Sequence, residues 1–141
     1  MRRKGERLMV VMNKDRELIG NEKIEEGLLR LHEDLSDENL AAVLTTIRKR
    51  KEEGGHFVVA VTASDAGMTL RPLKLSNGKK YFAAFTSFEE ELKGEDKIMS
   101  GFTASIEQLF GICLKSEEID GIILNPWDKE LKLDKNLIEI V

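Results

Sequence analysis

The sequence has a single cysteine and no long apolar segment, which argues against a disulfide-stabilised protein and against a membrane-spanning one. Because Cys113 is the only cysteine among 141 residues, no disulfide can form within the chain. No apolar run approaches the roughly 18 residues that a membrane-spanning helix needs. The run at residues 8–12 is also too short for the core of a secretion signal. We therefore expect a cytoplasmic protein that does not enter a membrane.

The sequence also has fewer basic than acidic residues. The chain carries 22 lysine and arginine residues against 26 aspartate and glutamate residues, a formal net charge of -4 at pH 7. Since neither half of the chain is basic, we expect neither nucleic acid nor an anionic membrane as a partner. The 41% of hydrophobic and 34% of charged residues are ordinary for a globular domain. A chain of this length buries roughly two-thirds of its unfolded surface without a metal or a disulfide.

The motifs of most cofactor and catalytic sites are missing as well. The 11 glycines never form a phosphate-binding loop. His32 and His56 stand far apart, without the cysteine or carboxylate spacing of a metal site. No serine lies in a nucleophile elbow, and Cys113 is expected to be an inert core residue. We predict no catalytic residue, no metal and no cofactor, and an enzyme is the less favoured interpretation.

The domain organisation is simple. Residues 1–20 are assigned to an N-terminal arm and residues 21–141 to a single domain. The arm combines a basic start with a short apolar run. Either this arm docks as a short strand, or translation begins at Met9 or Met12 and the residues before that methionine are not part of the protein. No repeat, low-complexity tract or linker interrupts the remainder of the chain.

Two helices are predicted in residues 21–51, and together they form a hairpin. The first has Asn21 as its N-cap, and the second has Ser36 or Asp37. Their apolar stripes recur at helical spacing and comprise Ile24, Leu28, Leu31 and Leu35, then Leu40, Val43, Leu44 and Ile47. The basic run at residues 48–51 compensates the dipole at the end of the second helix. An alternative is that this run contacts phosphates.

The rest of the chain alternates between strand and helix patterns. Residues 56–62 predict a strand covered on both faces, and residues 68–75 a strand with a bulge at Arg71-Pro72. The dipeptide Asn77-Gly78 predicts a two-residue hairpin turn before a central strand at residues 81–85. A helix capped by Thr103 or Ser105, a buried strand at residues 122–124 and a returning strand at residues 131–133 follow. The fold class is α/β (α+β), with a mixed sheet of about five strands and helices packed on it.

Candidate binding residues lie where two predicted strands end. A buried strand delivers Phe85, Thr86 and Ser87 to the start of a helix, where hydroxyl and amide groups can hold an anion. Simple helix capping is the alternative. Asn125 and Trp127 lie in a polar turn, and Trp127 either packs over the core edge or anchors a ligand or partner. We expect the two segments to lie close together, at one end of the sheet.

The same two segments resemble a known family. The stretch LSNGKKYFAAFTSFEEEL at residues 75–92, together with DGIILNPW and LKLDKNLIEIV near the end of the chain, is similar to the N-terminal domain of SseB-like proteins, named for enhanced serine sensitivity. The resemblance is good over residues 57–141, weaker over the two helices before them and absent from the first twenty residues. It implies a bacterial α/β domain, often found with a second C-terminal domain, and no established enzyme activity or cofactor.

These observations favour a bacterial cytoplasmic module that binds or regulates a partner protein without catalysis. Its expected binding surface comprises Phe85, Thr86, Ser87, Asn125 and Trp127. The alternative is a binding site for a small anionic metabolite, or a weak enzyme, at the junction of Thr86 and Ser87. A concave, partly apolar pocket at this junction would favour the alternative, and a flat surface would favour the module.

Overall fold

The computed structural model of the protein describes residues 17–64, 67–94 and 100–141. Within these residues it contains five helices and seven strands. In chain order they are α1 (Asn21–Glu33), α2 (Asp37–Glu52), β1 (His56–Ser64), β2 (Gly67–Leu70), β3 (Pro72–Lys74), β4 (Lys80–Phe85), α3 (Phe88–Leu92), β5 (Ser100–Ser105), α4 (Ile106–Lys115), β6 (Gly121–Leu124), β7 (Leu131–Asp134) and α5 (Lys135–Ile140). Most of the arm predicted at residues 1–20, with Met9 and Met12, lies outside the described residues.

The predicted fold class is confirmed, with helices α1 and α2 forming the expected hairpin beside a mixed sheet. The strand order is β2-β1-β4-β6-β7, while β3 also pairs with β4 and β5 also pairs with β1. The β4 and β6 strands run parallel, and the other pairs are antiparallel. Because β4 and β6 are parallel neighbours, their carboxyl ends meet at one end of the sheet.

Among the described residues the sheet has seven strands rather than about five, for two physical reasons. The segment at residues 68–75 divides at Arg71, because β2 pairs with β1 whereas β3 pairs with β4. The predicted bulge at Arg71-Pro72 is therefore wrong. In addition, the segment before α4 forms β5 along residues 56–61 of β1, although its mostly small and polar residues carry no strand pattern. Here tertiary pairing outweighs local propensity.

The hairpin between β3 and β4 is confirmed, but its loop is longer than predicted. Leu75 donates its N–H to the carbonyl of Lys79, and Gly78 donates to the carbonyl of Leu75. Three residues, rather than two, therefore close the loop. Gly78 has a φ of 87°, a left-handed conformation that glycine adopts without steric cost.

Hydrophobic side chains cover both faces of the sheet. The larger cluster lies between the sheet and helices α1, α2, α4 and α5, and it includes Ile24, Leu28, Ile47, Phe57, Leu109 and Ile122. The smaller cluster lies on the opposite face and includes Val58, Tyr81, Phe85 and Ile123, with Phe88 and Trp127 packed against it. The prediction that the first strand is covered on both faces is thus confirmed.

Several residues of the predicted apolar patterns are not fully buried in the structure. Leu35 is 86% exposed, because α1 ends at Glu33 and the helical phase is lost before that position. Leu40, Leu44 and Val61 are only partly buried, at the edge of the core. On α4, the residues Ile106, Leu109, Phe110 and Cys113 are buried at helical spacing, whereas Leu114 is 39% exposed.

Side-chain caps define the starts of four helices. Ser36, Ser87, Ser105 and Asp134 each accept a hydrogen bond from the backbone N–H three residues later, which satisfies one unpaired donor of the helix end. The predicted cap at Asn21 is wrong. Gly20, with a φ of 103°, precedes α1 without a side-chain cap, and Asn21 is buried.

Candidate functional site

The two predicted binding segments meet at the carboxyl ends of β4 and β6, as expected. Asn125 Oδ1 accepts a hydrogen bond from Thr86 N at 2.9 Å, and Asn125 Nδ2 lies 3.1 Å from Thr86 Oγ1. Asn125 has a φ of 50°, a left-handed conformation that asparagine tolerates better than most residues. Thr86 and Asn125 are 1% and 2% exposed. Their side chains therefore hold the two strand ends together.

Asn21 joins the helical hairpin to this strand junction. Its Nδ2 group donates to the carbonyl of His56 at 2.8 Å and to the carbonyl of Thr86 at 3.0 Å. Its Oδ1 atom accepts from Arg50 Nε at 3.0 Å. This role was not predicted from the sequence, although Asn21 is in phase with the apolar stripe that continues at Ile24 and Leu28. A polar side chain in phase with such a stripe points toward the core.

The basic run at residues 48–51 is occupied largely by contacts within the protein. Arg50 is 9% exposed, and it also donates to the carbonyl of Glu17 and to the Glu53 carboxylate. Arg48 donates to the carbonyl of Ile140, and Lys51 donates to the carbonyl of the last residue of the chain. These contacts favour a structural role for the run over contact with phosphates.

A concave groove opens beside Thr86 and Ser87. It encloses about 460 Å³ between the start of α1 and the junction of β4 with α3. Leu18, Ile19 and Phe88 supply its apolar surface, and Ile19 is 60% exposed. The site is thus concave and partly apolar, rather than flat.

The charge of this groove is negative. Glu22, Glu25 and Glu89 line it, and none of the lining residues that the structure describes is basic. Glu25 Oε2 accepts a hydrogen bond from Thr86 Oγ1 at 2.5 Å. The backbone N–H of Thr86 is bonded to Asn125, so it is not available to a ligand. A bound anion would meet three like charges here, whereas a bound cation would meet three carboxylates.

Ser87 lines the groove as the cap of a short helix. Its Oγ atom accepts from Glu90 N at 3.2 Å. The α3 helix that it caps has only five residues, so its dipole adds little to anion binding. The predicted capping role is confirmed, whereas binding at Ser87 stays a prediction.

Trp127 packs over the edge of the core. Its ring lies 6.2 Å from the ring of Phe85, centroid to centroid, at an interplanar angle of 36°. The backbone of Gly94 lies directly against the indole. A Cβ atom at position 94 would stand only 2.6 Å from Trp127 Nε1. Phe85 is fully buried. Of the five predicted residues, Thr86 and Ser87 line the groove. The other three do not line it: Asn125 is bonded to Thr86, and Phe85 packs against Trp127.

The α3 helix carries a buried carboxyl group that was not predicted from the sequence. Glu91 is 6% exposed, and its Oε2 atom has no hydrogen-bond partner among the described residues. Burial raises the pKa of the Glu91 carboxyl above its ordinary value of 4.5, because the interior disfavours the charged form.

The raised pKa of Glu91 predicts a pH-dependent effect of removing its charge. The native state binds the proton more tightly than the unfolded state, so this group adds stability below pH 4.5. That contribution is lost as the pH rises through the folded-state pKa. We expect Glu91→Gln, which cannot ionise, to gain stability relative to the wild type as the pH rises from 4 to 8.

Urea unfolding midpoints measured across this pH range test the Glu91 prediction. Glu89→Gln is the control, because Glu89 is exposed on the same helix. Its stability relative to the wild type should vary much less with pH. A constant difference between Glu91→Gln and the wild type at all pH values would contradict the prediction.

Other reactive groups do not form a site in the part of the chain that the structure describes. Burial raises the pKa of the Cys113 thiol to about 11, so the thiol stays protonated at neutral pH. No group of three or more histidine, cysteine, aspartate or glutamate residues could hold a metal ion among the described residues. None of the described helices is both long and apolar enough to span a membrane.

Comparison with known proteins identifies one family. The family model described as the SseB protein N-terminal domain matches residues 24–139. A search of the curated proteins finds no match, and neither does a search of the solved structures. The matched region contains Thr86, Ser87, Asn125 and Trp127, and it leaves Asn21 and Glu22 outside its bounds.

Proposed function

The chain belongs to the SseB protein N-terminal domain family, and on that premise we propose that it is a bacterial cytoplasmic interaction module. In this proposal its acidic groove binds a basic, partly apolar segment of a partner protein. The module regulates or recruits that partner and catalyses no reaction. Thr86 and Ser87 form part of the binding surface, while Phe85, Asn125 and Trp127 hold that surface in place.

The combination of charge and apolar surface in one groove carries this proposal. Glu22, Glu25 and Glu89 attract lysine or arginine side chains, while Ile19 and Phe88 offer contact area to aliphatic side chains. Charge complementarity of this kind speeds association and selects partners more than it adds affinity. An interaction segment with alternating basic and aliphatic side chains matches both properties.

A small cationic metabolite is the second candidate, and the concave shape of the groove favours it. The expectation of an anionic metabolite has less support, because a carboxylate would face Glu22, Glu25 and Glu89. The two cationic candidates differ in the contact area that they need. A peptide gains affinity from Ile19 and Phe88, whereas a free diamine gains only from the carboxylates.

Removal of two groove charges should weaken peptide binding. We expect a short peptide of alternating lysine and leucine to bind the protein, and a peptide of alternating glutamate and leucine not to bind. The double variant Glu22→Gln and Glu89→Gln should lose roughly fivefold in affinity, since each exposed ion pair contributes about 0.2–1 kcal/mol. Isothermal titration calorimetry at low salt measures both quantities.

The matched control removes the same number of charges outside the groove. Glu26 and Glu33 are exposed on α1 and do not line the groove, so Glu26→Gln with Glu33→Gln should keep the wild-type affinity. Equal losses in the two double variants would mean that only net charge matters, and the proposal would fail. Binding of a free diamine without binding of the peptide would favour the second candidate.

A further inference from the structure

A second groove lies at the opposite end of α1 from the acidic groove. It encloses about 700 Å³ between the turn that joins α1 to α2 and the β7–α5 region. Its apolar lining comprises Leu31, Leu35, Leu40, Leu131 and Leu137. From Asn21 to Leu31 the helix rises about 15 Å, so the two grooves are separate surfaces.

One apolar side chain projects from the edge of this second groove. Leu35 is 86% exposed, because it lies in the short turn between Glu33, where α1 ends, and Asp37, where α2 begins. The neighbouring side chains of Leu40 and Leu137 are only partly buried. The surface thus presents a projecting leucine beside a depression lined by leucines.

The rim of the second groove carries both signs of charge. Asp37 and Glu130 are acidic, whereas Lys132 is basic and His32 is a polar donor or acceptor. Lys132 Nζ lies 3.8 Å from a Glu130 carboxylate oxygen, and His32 Nε2 lies 2.8 Å from the Glu130 carbonyl oxygen. The acidic groove, by contrast, has charges of one sign among its described lining residues.

From these features we propose that a second copy of this chain occupies the second groove, in a two-fold symmetric dimer. A two-fold interface brings the same surface patch from each subunit together, so the patch must be complementary to itself. Here Leu35 of one copy inserts among the leucines of the other. Lys132 of each copy approaches the acidic rim formed by Asp37 and Glu130 of its partner. A patch with only one sign of charge would not meet this requirement.

The apolar lining is small for a stable dimer, so the association is weak. Interfaces at the low end of the size range are transient. We therefore expect a dissociation constant in the micromolar range, on the order of 10–100 µM. The dimer should form reversibly as the protein concentration rises. Higher salt should weaken it modestly, because the rim charges are exposed.

Sedimentation equilibrium of the full chain, up to about 1 mM protein, tests the proposal. The wild type should show a reversible equilibrium between monomer and dimer. Leu35→Asp should raise the dissociation constant at least tenfold, because it places a carboxylate in an apolar contact next to the partner's acidic rim. Leu92→Asp is the matched control, because Leu92 is 74% exposed on α3 and does not line the groove. Circular dichroism checks that both variants remain folded.

Two results would overturn the proposal. One is a wild-type chain that remains monomeric at every concentration. The other is a dimer that Leu35→Asp and Leu92→Asp weaken to the same extent. If the lysine–leucine peptide protects Leu35 from solvent while the chain stays monomeric, the groove binds another protein instead, and the dimer is again excluded. Dimer formation without peptide binding at the acidic groove would leave this inference intact while the proposed function failed.

Discussion

Replacement of Gly121 by alanine should lower the free energy of unfolding by about 3 kcal/mol or more. A Cβ atom at this position would stand 2.1 Å from the carbonyl oxygen of Leu133 and 3.0 Å from the Cα atom of Asp134. Both are backbone atoms of β7, so no side-chain rotation relieves the clash. The β6 and β7 strands must separate, and Ile122 and Leu133, which face each other across this pair, then lose their contacts.

Urea unfolding followed by circular dichroism measures this loss. Gly111→Ala is the matched control, because it lies within α4 and a Cβ atom there meets nothing within 4 Å. Alanine is a better helix former than glycine, so the control should be neutral or more stable by up to about 1 kcal/mol. Equal unfolding midpoints for the wild type and Gly121→Ala would show that β6 and β7 do not pair in this register.

Asn21→Ala should destabilise the protein by about 3–5 kcal/mol. The change leaves Arg50 Nε and the carbonyl groups of His56 and Thr86 without the partners that Asn21 provides. An unsatisfied buried polar group costs about 1–3 kcal/mol, and a charged group costs more. The substitution also releases the helical hairpin from the end of β4, so the acidic groove should lose its shape.

Asn39→Ala provides the control for Asn21→Ala. Asn39 also donates from Nδ2 to two carbonyl groups, those of Asp34 at 2.8 Å and Arg30 at 3.4 Å, but in a solvent-exposed position. Water replaces the lost partner there, so the cost should stay below about 1 kcal/mol. Thermal and urea unfolding of both variants give the comparison. Similar losses at the two positions would mean that the Asn21 contacts do not hold the hairpin.

Local sequence signals predicted the elements that they encode directly. Serine before a helical stripe identified the caps at Ser36, Ser87 and Ser105. Continuous apolar segments identified β4 and β6, and the structure shows that these two strands are parallel neighbours. The meeting of Thr86 with Asn125 could be predicted because carboxyl ends of parallel neighbours lie at the same end of a sheet.

The features that escaped prediction depend on residues distant in sequence. The β5 strand has no local strand pattern, and only its pairing with β1 fixes it. Asn21 suggested a cap because local rules favour asparagine there, yet its partners lie 29 to 65 positions away. The negative charge of the groove arises only when Glu22 and Glu25 on α1 meet Glu89 on α3.

At the start of α1, two adjacent side chains have different roles: one stabilises the fold and the other lines the groove. Asn21 turns inward to the backbone of β1 and of the β4–α3 junction, while Glu22 next to it is exposed at the groove. Substitution of the outward positions therefore leaves the inward hydrogen bonds in place. If the buried hydrogen bonds of Asn21 are kept, replacement of the exposed carboxylates alone can change which partner the groove binds. Such a change of specificity does not require a loss of stability.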